Sequence, residues 1–166
     1  MPSTTGMRFV DTNILLYAAS TAPDEQVKAA TARLLLDADD LALSVQVLQE
    51  FYVQATRRGK TERLTHDQAI SLIESFLRFP LQEITLALMH AALAAKERFG
   101  ISYWDAAIIE AARTLGCNTV LSEDLSAGQD YGGIKVDNPF RNSHRGLSHH
   151  PSGGSCRKVK RSGSMF

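Results

Sequence analysis

Cysteine is scarce in this chain: Cys117 and Cys156 are the two that the sequence contains, and they lie far apart. This argues against a disulfide framework or a zinc site and indicates free thiols in a reducing compartment. No apolar run approaches the roughly 18 residues that a membrane-spanning helix requires. The first residues, MPSTTGM, lack a basic segment followed by an apolar one, so we expect no secretory signal.

Acidic residues are absent from one end of the sequence. Residues 141–166 contain six Lys and Arg and no acid, whereas residues 1–140 contain 12 Lys and Arg and all 18 Asp and Glu. The net charge of zero therefore combines an acidic body (12 minus 18, or −6) with a basic tail of +6. Because the tail is rich in Ser, Gly and His and has few large apolar residues, we predict one domain over 1–140 and a disordered tail over 141–166.

Short apolar runs alternate with longer amphipathic segments along the domain. We predict strands at 8–11, 41–44, 81–85, 118–121 and 134–136, and helices from 14 and at 24–37, 45–58, 66–79, 86–99 and 103–115. Strands that alternate with helices are typical of an α/β fold with a parallel sheet covered on both faces. The predicted fold is therefore a three-layer α/β/α sandwich.

Four acidic residues lie beside apolar elements, where a charge costs free energy unless it has a partner. They are Asp11, Glu50, Asp105 and Asp124. Strand ends and the first turns of the following helices converge on one edge of a parallel sheet, and three of the four acids occupy such positions. Glu50 lies deeper in its helix and is expected to reach back along the helix surface to the same edge.

A cluster of four carboxylates predicts a metal site. The carboxylates would repel one another unless divalent cations normally lie between them. Carboxylate oxygens without His or Cys favour Mg²⁺ or Mn²⁺, and one or two such ions would activate water for phosphodiester cleavage. Asn13, Ser44 and Ser122 are short polar residues at the same strand ends, and we predict that they support the carboxylates.

Each acid also has a simpler interpretation. Asp11 alone is equally consistent with a helix cap at a strand end, and Asp105 with the acid of a capping box that begins at Ser102. Asp124 alone is most often a solvated loop residue, and its neighbour Glu123 competes for the same role. Spacing does not separate Glu123 from Asp124.

Four segments resemble the signature blocks of PIN-domain nucleases, in the family's order and at similar spacing. They are residues 10–17 (VDTNILLY), 44–52 (SVQVLQEFY), 102–109 (SYWDAAII) and 121–124 (LSED). Residues 136–140 (VDNPF) resemble the end of that domain. The most similar group is the VapC-like toxins of bacterial toxin–antitoxin modules.

This resemblance implies a Mg²⁺- or Mn²⁺-dependent endoribonuclease of the bacterial cytoplasm. Asp11 and Asp105 match the pair treated as direct magnesium ligands, and Glu50 and Asp124 complete the acidic quartet. The family is usually dimeric, and its usual partner is a small antitoxin whose C-terminal segment blocks the acidic groove. The tail beyond residue 140 departs from the family pattern.

Basic residues must offset the acidic body if RNA is to approach. Arg57, Arg58 and Lys60 are the candidates, although a solvated charged face is an equally good interpretation. The basic run at 157–161 suggests either nonspecific RNA affinity or self-inhibition, with a neutral extension as the default. Trp104, next to Asp105, is predicted to pack in the core or at the rim of the site, with stacking on bases as the alternative.

Two other classes of function compete with a nuclease. One is a non-catalytic PIN-like module that binds RNA or protein, although the presence of all four acids argues against it. The other is a metal-dependent phosphatase, because Asp11-x-Asn13 at a strand end loosely resembles the aspartyl-phosphate motif. That motif has a second Asp where this chain has Asn13.

Overall fold

Five parallel strands form the centre of the protein in the computed structural model, which describes residues 6–59 and 61–141. Their order across the sheet is β3-β2-β1-β4-β5. The strands are β1 (Arg8–Val10), β2 (Leu41–Ser44), β3 (Leu81–Gln82), β4 (Thr119–Leu121) and β5 (Lys135–Asp137). The register places Val10 beside Leu121 at the carboxyl ends of β1 and β4.

Six helices connect and cover these strands within the described ranges. They are α1 (Thr12–Ala19), α2 (Gln26–Leu36), α3 (Val45–Ala55), α4 (His66–Phe76), α5 (Leu86–Phe99) and α6 (Tyr103–Thr114). Helix α1 packs against α2 and α3, and α5 packs against α6. The three-layer α/β/α fold predicted from the sequence is confirmed.

The direction of the chain across the sheet reverses between β1 and β4. Strands β2 and β3 follow on one side of β1, whereas β4 and β5 lie on the other side. In open α/β sheets the crevice outside such a reversal, at the carboxyl ends of the strands, is the usual place for a ligand. Asp11 follows β1 and Ser122 follows β4, so both lie at this crevice.

Buried apolar side chains pack around the central strands below the crevice. Phe9, Val10, Leu43 and Val120 are fully buried, because helices cover both faces of the sheet. Phe51 of α3 is also fully buried and contacts the ring of Phe76 edge to face, with centroids 5.5 Å apart. Burial of such a side chain contributes roughly 1.5–3 kcal/mol.

Three predicted elements are shorter than expected, one of which is α4, which ends at Phe76 rather than at residue 79. Helix α3 ends at Ala55 rather than at residue 58, because the Thr56 hydroxyl and backbone N–H both donate to the Tyr52 carbonyl and close the last turn. Strand β3 covers two residues instead of five, because Thr85 leaves the sheet to accept a hydrogen bond from the Leu88 N–H as the N-cap of α5. Arg57 therefore lies beyond the end of α3.

Two sequence predictions lie outside the described residues. Lys60 is one, and the tail from residue 142 onward, with its basic run at 157–161, is the other. No helix within the described ranges is both long enough and apolar enough to cross a bilayer.

Candidate active site

Asp11 ends β1 and caps α1. Its Oδ1 accepts a hydrogen bond from the Thr12 N–H at 2.7 Å, so the cap predicted as an alternative does form. Its Oδ2 accepts from the Ser122 hydroxyl at 2.7 Å and from the Asn13 amide at 3.3 Å. The side chain is nevertheless one of the few buried charged groups, at 8% exposure. Capping alone does not explain a burial of this extent.

Burial raises the pKa of Asp11 to about 6. Loss of hydration is the largest cause, and the negative charges of Glu50 and Asp124 raise it further, whereas the hydrogen bonds from Ser122 and Thr12 act in the opposite direction. A carboxyl group with a raised pKa in a cleft is a common feature of functional sites. Among the described contacts of Asp11, no cationic side chain compensates the charge of the ionised carboxylate, so the neutral form is favoured.

Ser122 and Asn13 connect the ends of β1 and β4. The Ser122 hydroxyl accepts from the Asn13 amide at 3.3 Å and from the backbone N–H groups of Asp124 and Leu125, both at 3.2 Å. The Asn13 amide also donates to Asp124 Oδ2 at 3.1 Å. Both residues were predicted to support the acids, and both contact Asp11 directly.

Glu50 reaches the same edge from the second turn of α3. The Thr12 hydroxyl donates to Glu50 Oε2 at 3.0 Å, and the Gln46 amide donates to Oε1 at 2.9 Å. The Gln46 amide also lies 3.4 Å from the Trp104 carbonyl oxygen, so it connects α3 to α6. Sequence reasoning missed Thr12 and Gln46, although the position of Gln46 one turn before Glu50 was an available signal.

Asp105 lies in the first turn of α6. Ser102 caps this helix by accepting from the Asp105 N–H at 3.1 Å, and its hydroxyl donates to Asp105 Oδ2 at 2.8 Å. Ser102 is therefore the N-cap, but the Asp105 carboxylate accepts from the Ser102 hydroxyl rather than from its backbone N–H, so the predicted capping box is not the arrangement that forms. The negative charge of Asp105 also contributes to the raised pKa of Tyr131, after the larger effect of burial.

The four predicted acids line one small pocket of about 120 Å³. Thr12, Asn13, Gln46, Gln54 and Trp104 also line it. Within residues 6–59 and 61–141, no three His, Cys, Asp or Glu side chains lie close enough together, as they stand, to hold a metal ion. Each carboxylate instead accepts hydrogen bonds from neighbouring side chains. The charged groups that could bind a metal ion in this pocket are all carboxylates, and carboxylate oxygens are suitable ligands for a hard divalent cation.

Asp124, rather than its neighbour Glu123, lines the pocket. Glu123 forms an ion pair with Lys28 and accepts a hydrogen bond from the Tyr17 hydroxyl, so its carboxylate is directed toward α1 and α2. The Glu123 N–H still donates to Asn13 Oδ1 at 3.2 Å. Of the two acids that spacing did not separate, Asp124 is therefore the one whose side chain lines the pocket.

Three further residues that were predicted for the site, Ser44, Arg57 and Arg58, do not line the acidic pocket. Ser44 is 1% exposed and caps α3 by accepting from the Val47 N–H, so its position is that of a cap. Arg57 and Arg58 are exposed and line a separate hollow with Gln54, which also lines the acidic pocket. These two arginines are therefore neighbours of the pocket and do not line it.

The family model of the PIN domain matches residues 8–127, which include all four acids. The chain belongs to the PIN domain family. The matched range extends from β1 to just beyond β4, so it covers the crevice between these strands. Among curated protein sequences, none is significantly similar to this chain.

Several solved structures share this PIN fold. VapC20 of Mycobacterium tuberculosis, a toxin that cleaves the sarcin-ricin loop, is 21% identical with a TM-score of 0.57, over 70% of this chain and 91% of that one. A toxin–antitoxin complex from Klebsiella pneumoniae is 19% identical with a TM-score of 0.58, and the match covers 80% of this chain and 97% of that one. DNA-bound VapBC from Salmonella typhimurium is 20% identical with a TM-score of 0.56, and the match covers 81% of this chain and 98% of that one.

Proposed function

We propose that this PIN domain protein is a metal-dependent endoribonuclease whose catalytic residues are Asp11, Glu50, Asp105 and Asp124. The observation that supports the proposal is the shared pocket, in which acids from four separate segments face one cavity of about 120 Å³. A buried carboxyl group among other acids is costly for folding alone. Such an arrangement is typical of a site that has been selected for chemistry.

The four acids fit a divalent cation by the chemistry of their oxygens. Asp11 and Asp105 would hold Mg²⁺ or Mn²⁺ directly, and Glu50 and Asp124 would complete the site or help to hold a second ion. When bound, such an ion lowers the pKa of water and offsets the negative charge of a phosphate.

Neighbouring side chains orient the acids for this role. Ser122 and Asn13 fix the plane of the Asp11 carboxylate, and Thr12 fixes that of Glu50. These hydrogen bonds do not use every lone pair of the carboxylate oxygens, so the acids keep the capacity to bind a cation. Donors of this kind position metal ligands in many proteins, and their loss typically reduces activity by about 10- to 100-fold.

The proposed substrate is single-stranded or looped RNA, whose flexible backbone can enter a narrow acidic pocket. Arg57 and Arg58 would contact its phosphates beside the pocket, since Gln54 borders both the pocket and the hollow that they line. Lys60, which lies outside the described residues, remains a predicted third contact.

We further propose that the protein is the toxin of a toxin–antitoxin pair. Support comes from the shared fold of VapC20, a toxin, and of the Klebsiella pneumoniae toxin–antitoxin complex. The partner would be a small antitoxin protein that covers the acidic pocket, and the toxin itself would be a homodimer.

Cleavage of a labelled single-stranded RNA tests the enzymatic proposal. We expect cleavage with Mg²⁺ or Mn²⁺, none with EDTA, and a loss of at least about 100-fold in Asp11→Asn and Asp105→Asn. Asp39→Asn is the matched control, because Asp39 is an exposed acid at the opposite, amino end of β2. RNA binding without cleavage in the wild type would favour the non-catalytic module instead.

Brief expression in bacteria tests the toxin proposal. Sequencing of RNA 5′ ends should reveal new cleavage sites with the wild type and none with Asp105→Asn. Coexpression of the protein encoded by an adjacent small open reading frame should suppress those sites. Identical 5′ ends in the two strains would refute a role as an RNA-cleaving toxin.

A further inference from the structure

Helix α3 has two different faces. Val47, Phe51 and Ala55 are buried and pack into the core. The opposite face consists of residues spaced three and four apart, which the helical period places in one stripe. They are Gln46, Gln49, Glu50, Val53 and Gln54. Three of these five side chains are neutral amides, so the stripe is neither an apolar core face nor an ordinary charged surface.

Trp104 lies opposite this stripe at the start of α6. Its side chain is 64% exposed and lines the acidic pocket, so Trp104 is not a core residue and lies at the rim of the site. The Tyr103 ring contacts it edge to face, with centroids 5.2 Å apart, which restricts its orientation. Val53 is also 64% exposed. Trp104 borders the acidic pocket, and together with Val53 it forms the apolar part of a neighbouring hollow.

Trp104 and the stripe enclose a hollow of about 370 Å³. Its lining residues are Gln46, Gln49, Glu50, Val53, Gln54 and Trp104. Four of them, Gln46, Glu50, Gln54 and Trp104, also line the pocket of the four acids. The hollow and the acidic pocket are therefore continuous. A group bound in the hollow would lie directly beside the proposed site of phosphodiester cleavage.

We propose that this hollow binds one nucleobase of the RNA substrate, next to the phosphate that is cleaved. This proposal rests on the proposed endoribonuclease function and names its base-recognition site. The indole of Trp104 provides a flat surface on which a base stacks, and Val53 provides a second apolar contact. The amides of Gln49 and Gln54 offer both donors and acceptors to the edge of a base.

The two exposed amides are available for this role. Gln46 is committed to Glu50 and the Trp104 carbonyl, whereas neither Gln49 nor Gln54 forms a side-chain hydrogen bond with another described residue. Beyond Gln54 lies the hollow of Arg57 and Arg58. Gln54 thus borders the acidic pocket, the hollow beside Trp104 and the hollow of the two arginines, so a base in the middle hollow could be followed by a phosphate at the arginines.

Fluorescence provides a direct test, because Trp104 is the single tryptophan of the chain. The full-length Asp11→Asn variant with Mg²⁺ would be titrated with RNA hexamers and with an abasic hexamer of the same charge. We expect the base-bearing hexamers to quench or shift the Trp104 emission and the abasic hexamer to leave it unchanged. Unchanged emission with RNA bound to saturation would overturn the proposal.

Cleavage kinetics provide a second test. Trp104→Leu should lower kcat/KM for RNA by roughly 5- to 100-fold, the range expected for one stacked base, whereas Trp104→Phe should retain most of the activity. With a substrate that is abasic at the contacted nucleotide, Trp104→Leu should have little effect, because the stacking partner is already missing. An equal loss on both substrates would show a purely structural role and refute base stacking.

Two valines provide a matched control. Val53→Ala should weaken RNA binding a fewfold. Val27→Ala, which changes a similarly exposed valine of α2 (62%), should have no effect.

Failure of the wild type to cleave RNA would refute the proposed nuclease function. The quenching experiment would still decide whether the hollow binds a base. An emission change that follows protein concentration rather than RNA would assign the hollow to a second copy of the chain and overturn the proposal.

Discussion

The hydroxyl of Ser122 donates a 2.7 Å hydrogen bond to Oδ2 of Asp11 and so connects the ends of two neighbouring strands. Ser122 has no exposed surface, and the same oxygen accepts hydrogen bonds from Asn13 and from two backbone N–H groups. One hydroxyl therefore orients the buried acid and shapes the turn that presents Asp124. The geometry of the proposed site depends on this side chain more than on any single carboxylate.

Ser122→Ala should reduce both stability and activity. The change leaves buried donors without an acceptor, which costs about 1–3 kcal/mol, and frees the Asp11 carboxylate to rotate. We expect an activity loss of about 10- to 100-fold. Urea unfolding and RNA cleavage measure the two effects, with Ser71→Ala on the exposed face of α4 as the control. Normal activity in Ser122→Ala would show that Asp11 does not need this donor.

Asp11→Asn should abolish cleavage yet make the metal-free protein more stable near neutral pH. The pKa of Asp11 is raised by burial to about 6, above the value of 3.8 for the unfolded chain. The folded state therefore holds the proton more tightly, and stability contributed by this group falls as pH rises from about 4 through 6. At pH 7 the ionised group costs roughly 2–3 kcal/mol.

The measurement is the free energy of unfolding in EDTA between pH 4 and pH 8. The wild type should lose stability across the window in which Asp11 ionises, whereas Asp11→Asn should show a smaller slope. Addition of Mn²⁺ should stabilise the wild type and leave the variant nearly unchanged. Parallel curves for the two proteins would show that Asp11 is not the group that titrates.

Substitutions of Asp124 and Glu123 should affect activity differently, although the two residues are adjacent. Asp124 lines the acidic pocket, so Asp124→Asn should lower kcat by about 10-fold or more. Glu123 pairs with Lys28 and Tyr17, so Glu123→Gln should change kcat by less than about threefold and cost about 0.5–1.5 kcal/mol of stability. Equal losses of activity would mean that the pairing of Glu123 changes when substrate binds.

Cys117 should resist alkylation in the folded protein. Burial raises the pKa of its thiol to about 11, and the side chain is 3% exposed. At pH 8 only about one thiol in a thousand is ionised, and access is blocked as well. Iodoacetamide at pH 8 followed by peptide mass analysis should label Cys117 only after denaturation. Rapid labelling of native protein would indicate that the end of α6 opens readily.

Local signals in the sequence were sufficient for most of the secondary structure. A capping box of Thr65 and Gln68 begins α4, and Gly100 ends α5 in the left-handed conformation. These features depend on hydrogen bonds and backbone angles within a few residues, so neighbouring residues determine them. Helix boundaries were predicted less accurately, as the early end of α3 at Ala55 shows.

The choice among polar side chains at the site depended on partners distant in sequence. Glu123 and Asp124 are adjacent and chemically alike, and Tyr17 in α1 and Lys28 in α2 bind Glu123 away from the pocket that Asp124 lines. Thr12 became visible as a partner of Glu50 only when α1 and α3 were brought together, whereas Gln46 lies one turn before Glu50 on the same helix.

The sequence by itself determined the α/β fold and four acids at or near the carboxyl edge of a parallel sheet, because alternation, caps and strand ends are local properties of the chain. Only the tertiary structure decided which carboxylates face the pocket and that Trp104 stands exposed beside it. Side-chain direction and exposure depend on which helix packs opposite, and α3 and α6 meet only after the sheet has assembled.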